Sequence, residues 1–261
     1  MTEHLRVQRE ANIARVTLNR PEVRNAFNES LIAELTATFG VLGQDHTLRG
    51  VVLAAEGKAF CAGADLNWMK AMAGYSWDEN KADASRLAEM LWTIYSCPVP
   101  VIARVQGDVY AGGVGLVSVC DIVVAAETAG FCLSEAKLGL LPATIGPYVV
   151  RALGEQASRR YFVTAERFSA FEAHRLGLVH ELAATPEALD EKVHALTSSL
   201  IANGPQAVRA CKKLVQNVAH APITAELRDD TARRIADIRA SDEGRDGVQS
   251  FLNKGKPGWL N

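Results

Sequence analysis

Two glycine-bearing turns and one glutamate are the residues of this sequence best suited to act together as a chemical site. The first turn is Lys58-Ala59-Phe60-Cys61-Ala62-Gly63-Ala64-Asp65, and the second is Gly107-Asp108-Val109-Tyr110-Ala111-Gly112-Gly113. Each follows a β-branched apolar run and precedes a helical pattern. In a parallel sheet such positions converge on one edge, and small residues there leave N–H groups exposed at helix N-termini, where the dipole favours negative charge. Two such groups side by side form an oxyanion hole. Small residues also serve tight turns with no further role, and for either turn alone that simpler reading is the stronger one. Neither turn matches G-x-G-x-x-G or G-x-x-x-x-G-K-[ST], so a nucleotide-phosphate cradle has no support.

An acid or base belongs near that edge. Glu135, in Phe131-Cys132-Leu133-Ser134-Glu135-Ala136, is the best placed carboxylate, because its surroundings are otherwise apolar. Burial raises a carboxyl pKa toward neutrality, as proton transfer requires. A solvated ion pair with Lys137 or Arg151 fits the same position, and position alone weighs the two readings evenly. Asp65 and Asp121 sit where an element begins, and capping or a turn explains each better than chemistry does. The six histidines are dispersed with no H-E-x-x-H spacing, and no serine has a G-x-S-x-G setting, which argues against a metal or a histidine-dependent triad. No metal is expected.

The elements that must position these residues can be read from hydrophobic periodicity. Leu5 to Gln8 and Ile13 to Leu18 read as a hairpin around Ala11-Asn12. Leu31, Leu35, Phe39 and Leu42 recur at helical spacing after Asn28, a plausible N-cap, with Gly43 near the end. Arg49 to Ala55, Val99 to Val105 and Asp121 to Ala126 read as strands buried on both faces. Ser76 and Glu79 form a capping box ahead of a long helix that Cys97-Pro98 stops. Beyond residue 140 strand signals nearly cease. Ser169 and Glu172 suggest another capping box, Gly177 a C-cap, Val179 to Leu182 a brief last strand, and Pro186 and Pro205 two first helical turns. The fold class is therefore α/β, with residues 1–185 as the core and 186–261 as a helical region of the same unit, since no Pro-, Gly- or Ser-rich linker divides them.

Composition narrows the function classes. The chain has 261 residues, 48% of them apolar, enough for a full hydrophobic core. Lys plus Arg is 28 against Asp plus Glu at 30, so no basic excess exists to neutralise a phosphate backbone, and no nucleic-acid partner is expected. The scattered Trp68, Trp77, Trp92 and Trp259 suit packing better than base stacking. Five dispersed cysteines without a C-x-x-C pair suggest neither disulfides nor zinc. The N-terminus lacks the apolar stretch of a signal peptide, and the most apolar run, 109–120, falls short of the roughly 20 residues that cross a bilayer. A cytoplasmic protein with no membrane partner is expected.

Taken in order, the segments resemble the crotonase superfamily, the enoyl-CoA hydratase/isomerase family, over nearly the whole chain. The series runs from Leu18-Asn19-Arg20-Pro21 and Arg24-Asn25-Ala26-Phe27 through 59–66 to 107–113 with Cys120-Asp121-Ile122. It continues with Ser134-Glu135, Leu138-Gly139-Leu140-Leu141-Pro142 and Phe251-Leu252-Asn253-Lys254-Gly255-Lys256-Pro257. The resemblance implies a crotonase-like spiral of ββα units, a C-terminal helical region for trimerisation, a homotrimer or hexamer, and an acyl-CoA thioester ligand, with no cofactor besides the CoA of the substrate. It also implies that the N–H groups of Ala64 and Gly112 hold the thioester oxygen while Glu135 moves protons. Val23, Arg24, Ala26, Ala62, Asp65 and Leu66 would line the CoA path. Gly63, Gly113, Ser134 and Pro142 would complete the substrate-binding set, with Phe251 and Lys254 meeting the CoA site of a neighbouring subunit.

The sequence departs from the usual hydratase pattern at Gly115, where a second glutamate is typical, and at Asn67, where a lysine often stands; Lys70 or Arg24 is then left for the CoA phosphates. One carboxylate suits water addition to an enoyl thioester, and it equally suits isomerisation, in which one base moves a proton along the chain. A non-catalytic acyl-CoA-binding protein is the reading from a different class. Residues 131–135 together with 141–150 look most like the bacterial methylglutaconyl-CoA and carboxygeranoyl-CoA hydratase branch, which implies a branched, carboxylated enoyl-CoA.

Overall fold

The computed structural model describes residues 4–260. The chain opens with the expected hairpin, β1 (Leu5–Glu10) against β2 (Ile13–Leu18), in antiparallel register from Leu5 opposite Leu18 to Glu10 opposite Ile13. Asn28 caps α1 (Glu29–Gln44), its side chain accepting the Leu31 N–H at 2.8 Å. Helix α1 then buries Leu31, Ile32, Leu35 and Phe39, one stripe of an amphipathic helix. Strand β3 (Gly50–Ala55) is buried at every residue, which is why it reads as a continuous apolar run rather than an alternating one.

Helices α2 (Leu66–Met72) and α3 (Trp77–Tyr95) follow. Ser76 and Glu79 complete the capping box at the start of α3, each side chain bonding the other's backbone N–H. The chain returns through β4 (Val101–Val105), β5 (Val109–Tyr110), α4 (Gly112–Ser118), β6 (Ile122–Ala126) and β7 (Gly130–Cys132). A short 3-10 turn, Glu135–Leu138, leads to α5 (Gly146–Leu153), α6 (Glu155–Thr164), β8 (Arg167–Ser169), α7 (Ala170–Arg175) and β9 (Glu181–Ala183). Four helices close the chain: α8 (Pro186–Ala202), α9 (Pro205–Val218), α10 (Ala225–Ala240) and α11 (Asp242–Leu252).

Six strands form one sheet in the order β1-β2-β3-β4-β6-β9, parallel throughout except at the hairpin. Three more, in the order β5-β7-β8, form a second sheet in which β5 and β7 run parallel. Helices fill the crossovers that parallel pairing demands, and the repeated strand, strand, helix order is the α/β spiral expected. The main core lies among α1, α3, α4, α5 and the sheets, around Phe27, Phe39, Phe60, Met90 and Phe131, all buried. Helix α8 covers the other side of β3, β4 and β6 through Leu189 and Val193.

The helical C-terminal region is tied to the sheet by an ion pair. Lys212 on α9 donates to Asp121 Oδ2 at 2.6 Å, and the same oxygen accepts the Val101 N–H at 2.7 Å. Asp121 is therefore a structural residue. Two local expectations shift. The last strand is Glu181–Ala183 rather than 179–182. At α7 only half of a capping box forms: Ser169 accepts the Glu172 N–H, but the Glu172 carboxylate turns to Arg175 and the Tyr161 hydroxyl. No helix among the described residues is long and apolar enough to cross a membrane.

Candidate active site

The two glycine turns lie against each other. Strand β5 makes a parallel bridge to Cys61, with the Tyr110 N–H donating to the Cys61 carbonyl at 2.9 Å and the Phe60 N–H to the Asp108 carbonyl at 3.0 Å. The contact is close enough to exclude side chains: a Cβ on Gly63 would lie 2.9 Å from Ala111 Cβ, and one on Gly113 would lie 2.9 Å from Cys61 Cβ. Gly63 also has φ of 86°, which an L side chain rarely adopts. Two turns that are distant in sequence are thus held as one surface.

Each turn presents an N–H group with no acceptor among the described residues. Phe27 bridges the first turn, donating to the Gly63 carbonyl at 2.7 Å and accepting the Asp65 N–H at 2.8 Å. This leaves the Ala64 N–H between them, with no acceptor among the described residues. Gly112 is the first residue of α4, where an N–H has no partner within the helix. It too has no acceptor among the described residues. Before it, Ala111 is held at φ 48° and ψ −120°, anchored by its N–H on the Cys132 carbonyl at 2.8 Å. A strained residue kept in place by its neighbours is a frequent mark of a functional turn.

Glu135 reaches the same edge by topology. Strands β5 and β7 are parallel neighbours, Tyr110 opposite Cys132, so the residues after each emerge at one end: Ala111 and Gly112 from β5, Leu133, Ser134 and Glu135 from β7. Glu135 Oε2 is buried and has no hydrogen-bond partner among the described residues. Burial pushes the Glu135 carboxyl above its ordinary value, and only its own backbone N–H pulls the other way; neither Lys137 nor Arg151 pairs with it. Burial thus brings the carboxyl closer to the range in which a group can both take and return a proton, and it has an unused oxygen with which to do so. Cys61, by contrast, is buried and its thiol is pushed up to about 12, which removes it as a nucleophile.

Other residues named from the sequence take varied places. Val23, Arg24, Ala26 and Ala62 come together along the first turn, through the Ala62 N–H on the Arg24 carbonyl and the Ala26 N–H on the Val23 carbonyl. Arg24 is exposed and has φ of 53°, and Leu66 is exposed at the start of α2. Lys70 sits in the last turn of α2. Ser134 is half-buried beside Glu135, and Pro142 is buried in the segment that follows.

The Asp65 side chain takes a structural place: it is buried, with Oδ1 capping α2 through the Asn67 N–H and Oδ2 paired with Arg20 at 3.0 Å, so it holds the turn. Gly113 is likewise packed on Cys61 and serves the contact between turns. Phe251 and Lys254, at the end of α11, are exposed, and α11 packs on α9 and α10. No hydrogen bond or ion pair among the described residues ties either to the two turns.

Sequence reasoning overlooked the residues that brace the first turn. Asn25 is fully buried at φ 55°; its side chain donates to the Glu56 and Ala59 carbonyls and accepts the Arg20 N–H. Arg20 adds a bond to the Ala26 carbonyl at 2.6 Å besides its pair with Asp65. The available signal was an asparagine suited to the left-handed region, just before an N-capped helix.

Known proteins with this arrangement are numerous. The family model described as enoyl-CoA hydratase/isomerase matches residues 8–261. A crystal structure of an enoyl-CoA hydratase from Shewanella pealeana is 38% identical, with a TM-score of 0.95 over 99% of this chain and 96% of that one. Pseudomonas aeruginosa AtuE is 35% identical, with a TM-score of 0.95 over 99% of this chain and 100% of its own. The enoyl-CoA hydratase ACTT6 of Alternaria alternata is 36% identical over 251 residues, 94% of this chain and 80% of the relative. The expected crotonase-like fold is the one observed, and by sequence and structure alike the chain belongs to the enoyl-CoA hydratase/isomerase family.

Proposed function

We propose that this enzyme adds water to an α,β-unsaturated acyl-CoA through the Ala64 and Gly112 N–H groups and the single carboxylate of Glu135. The buried, unpartnered Oε2 of Glu135 is the observation that carries this reading. In the reaction Glu135 takes a proton from water as the water oxygen bonds the β-carbon. The electron pair of the double bond moves toward the thioester oxygen, and the two N–H groups hold the charge that develops there. Protonated Glu135 then returns its proton to the α-carbon, so substrate plus water gives a 3-hydroxyacyl-CoA and a restored carboxylate. One preorganised donor at such an oxygen is worth about 3 to 4 kcal/mol.

A branched, carboxylated enoyl-CoA of the methylglutaconyl type is the proposed substrate, supported by the likeness of residues 131–135 and 141–150 to that branch. The CoA moiety would run along Val23, Arg24, Ala62 and Leu66, with Arg24 or Lys70 toward its phosphates. We further propose a homotrimer or hexamer, supported by apolar side chains left exposed on the C-terminal helices: Val215, Ile235, Val248, Phe251 and Leu252. In that assembly Phe251 and Lys254 would reach a neighbour's CoA site. A second reading, isomerisation of a 3-enoyl-CoA, draws on the same residues, because one unpaired carboxylate suffices for it.

Incubation with methylglutaconyl-CoA, a linear 2-enoyl-CoA and a 3-enoyl-CoA, followed by mass spectrometry of each product, separates the readings. Gain of one water by a 2-enoyl thioester supports the hydratase. Double-bond migration without water gain would establish the isomerase in its place.

A further inference from the structure

Strands β5 and β7 carry the two halves of the proposed site: Gly112 follows the end of β5, and Glu135 follows the end of β7. Yet the strands pair only as Val109 with Phe131 and Tyr110 with Cys132. So short a ladder specifies its own register weakly. A side chain extends it. Asp108 stands one step before the Val109–Phe131 pair, opposite Gly130, and its Oδ1 accepts the Gly130 N–H at 2.9 Å. The Asp108 carbonyl accepts the Phe60 N–H at 3.0 Å, which ties the same residue to the first glycine turn.

A second brace comes from the other edge of β7. Arg167 on β8 stands opposite Cys132, and its Nη2 donates to the same Asp108 Oδ1 at 2.7 Å. Gly130 and Cys132 share a face of β7, so the guanidinium crosses β7 over Gly130, where a Cβ would collide with it. Tyr110, on the same face of β5 as Asp108, also reaches that guanidinium. Asp108 Oδ1 thus joins all three strands of the second sheet. The pair is partly open to solvent, with side-chain exposures of 48% for Arg167 and 39% for Asp108. An ion pair so placed adds little to stability, and its consequence is geometric.

We propose that Asp108 and Arg167 are positioning residues of this enzyme: joined across Gly130, they fix β5 against β7 and thereby set the distance from the Gly112 N–H to the Glu135 carboxyl. This rests on the reaction proposed above. Both groups act on one substrate, the N–H on the thioester oxygen and the carboxyl on the carbons beside it, so a shift between them misaligns proton transfer. A misplacement of about 1 Å can cost on the order of 100-fold in rate. The CoA path proposed above follows the first turn and α2, so binding is spared.

The test compares wild-type protein with Asp108→Ala, Asp108→Asn and Arg167→Met. It measures kcat on whichever enoyl-CoA, 2- or 3-unsaturated, the wild type converts, and the dissociation constant of butanoyl-CoA, which cannot react. Asp108→Ala should lower kcat by about tenfold to 100-fold while the butanoyl-CoA constant stays within about threefold. Asp108→Asn keeps an oxygen acceptor for both bonds and should recover kcat to within about threefold of wild type. In a Glu135→Gln background, where the carboxyl is already gone, Asp108→Ala should lower the residual rate by about threefold or less. Folded Asp108→Ala with wild-type kcat, a loss in Asp108→Asn as deep as in Asp108→Ala, or an equal loss with and without Glu135 would each overturn the proposal.

Should Asp108→Ala fail to fold, Arg167→Met decides. It leaves the Asp108–Gly130 bond and removes the brace across β7, so kcat must fall by about threefold or more with butanoyl-CoA affinity kept; an unchanged kcat overturns the proposal. Wild-type turnover that the variants retain in full refutes this inference alone. Wild-type protein that converts neither enoyl-CoA refutes the proposed reaction and this inference together.

Discussion

Replacing Glu135 with glutamine should stabilise the protein while abolishing its chemistry, because the same burial that suits the carboxyl to proton transfer makes its charge costly. Oε2 has no partner and the carboxyl is held above its ordinary value of 4.5, chiefly by burial. Folding therefore favours the protonated form. At pH below 4.5 both folded and unfolded chains hold the proton, and the residue contributes its most favourable share to stability. As pH rises, the unfolded chain ionises first, and stability is lost until pH passes the folded value.

Glutamine keeps the shape and cannot ionise. Leaving a buried polar group unpaired costs about 1 to 3 kcal/mol, and more when it is charged. The variant should therefore gain about 1 kcal/mol at pH 8 and almost nothing at pH 4. For a chain of this size that is roughly 2 to 4 °C in midpoint. Thermal denaturation of both proteins from pH 4 to 8, beside turnover of a 2-enoyl-CoA, reads the two effects at once. Turnover should fall by about 10² to 10⁴, the usual worth of a positioned acid or base. A variant that is less stable at pH 8, or that keeps wild-type turnover, would refute the reasoning.

Other substitutions probe the frame around that carboxylate. Gly112→Val should fold, keep most of its affinity for free CoA and lose turnover by a factor on the order of 100, whereas Gly112→Ala meets only the Phe27 ring edge and should lose far less; comparison of kcat with CoA binding checks both. Asp65→Ala leaves the part-buried Arg20 without its carboxylate, though still bonded to the Ala26 carbonyl, and removes a helix cap, and should cost about 2 to 3 kcal/mol in denaturant unfolding. Ala111→Gly relieves a residue held at φ 48° and should raise stability by up to about 1 kcal/mol, seen as a higher thermal midpoint.

Elements that are buried on both faces or carry a cap were legible in the residues themselves. Strands β3, β4 and β6 are short apolar runs between turn residues, and α1 and α3 announce themselves through Asn28 and the Ser76-Glu79 box. Strands β5, β7 and β8 have only two or three residues each, too few for any period to show, and they exist because they pair with one another. Glu135 could be named as the carboxylate, but choosing between a buried acid and a surface ion pair required knowing what surrounds it. The Asp65 side chain was consumed by Arg20, 45 residues away in the chain, and Arg167 reached Asp108, 59 residues away, across Gly130. Such contacts are properties of packing and leave no local pattern in the sequence.

Binding of a non-reacting saturated acyl-CoA, visualised in a crystal structure of the complex, tests the central claim most directly. The thioester oxygen should lie 2.7 to 3.1 Å from the backbone nitrogens of both Ala64 and Gly112, the span expected of oxyanion donors, with the first acyl carbons facing Glu135. A thioester bound away from these two nitrogens, or with its acyl carbons out of reach of Glu135, would contradict the account.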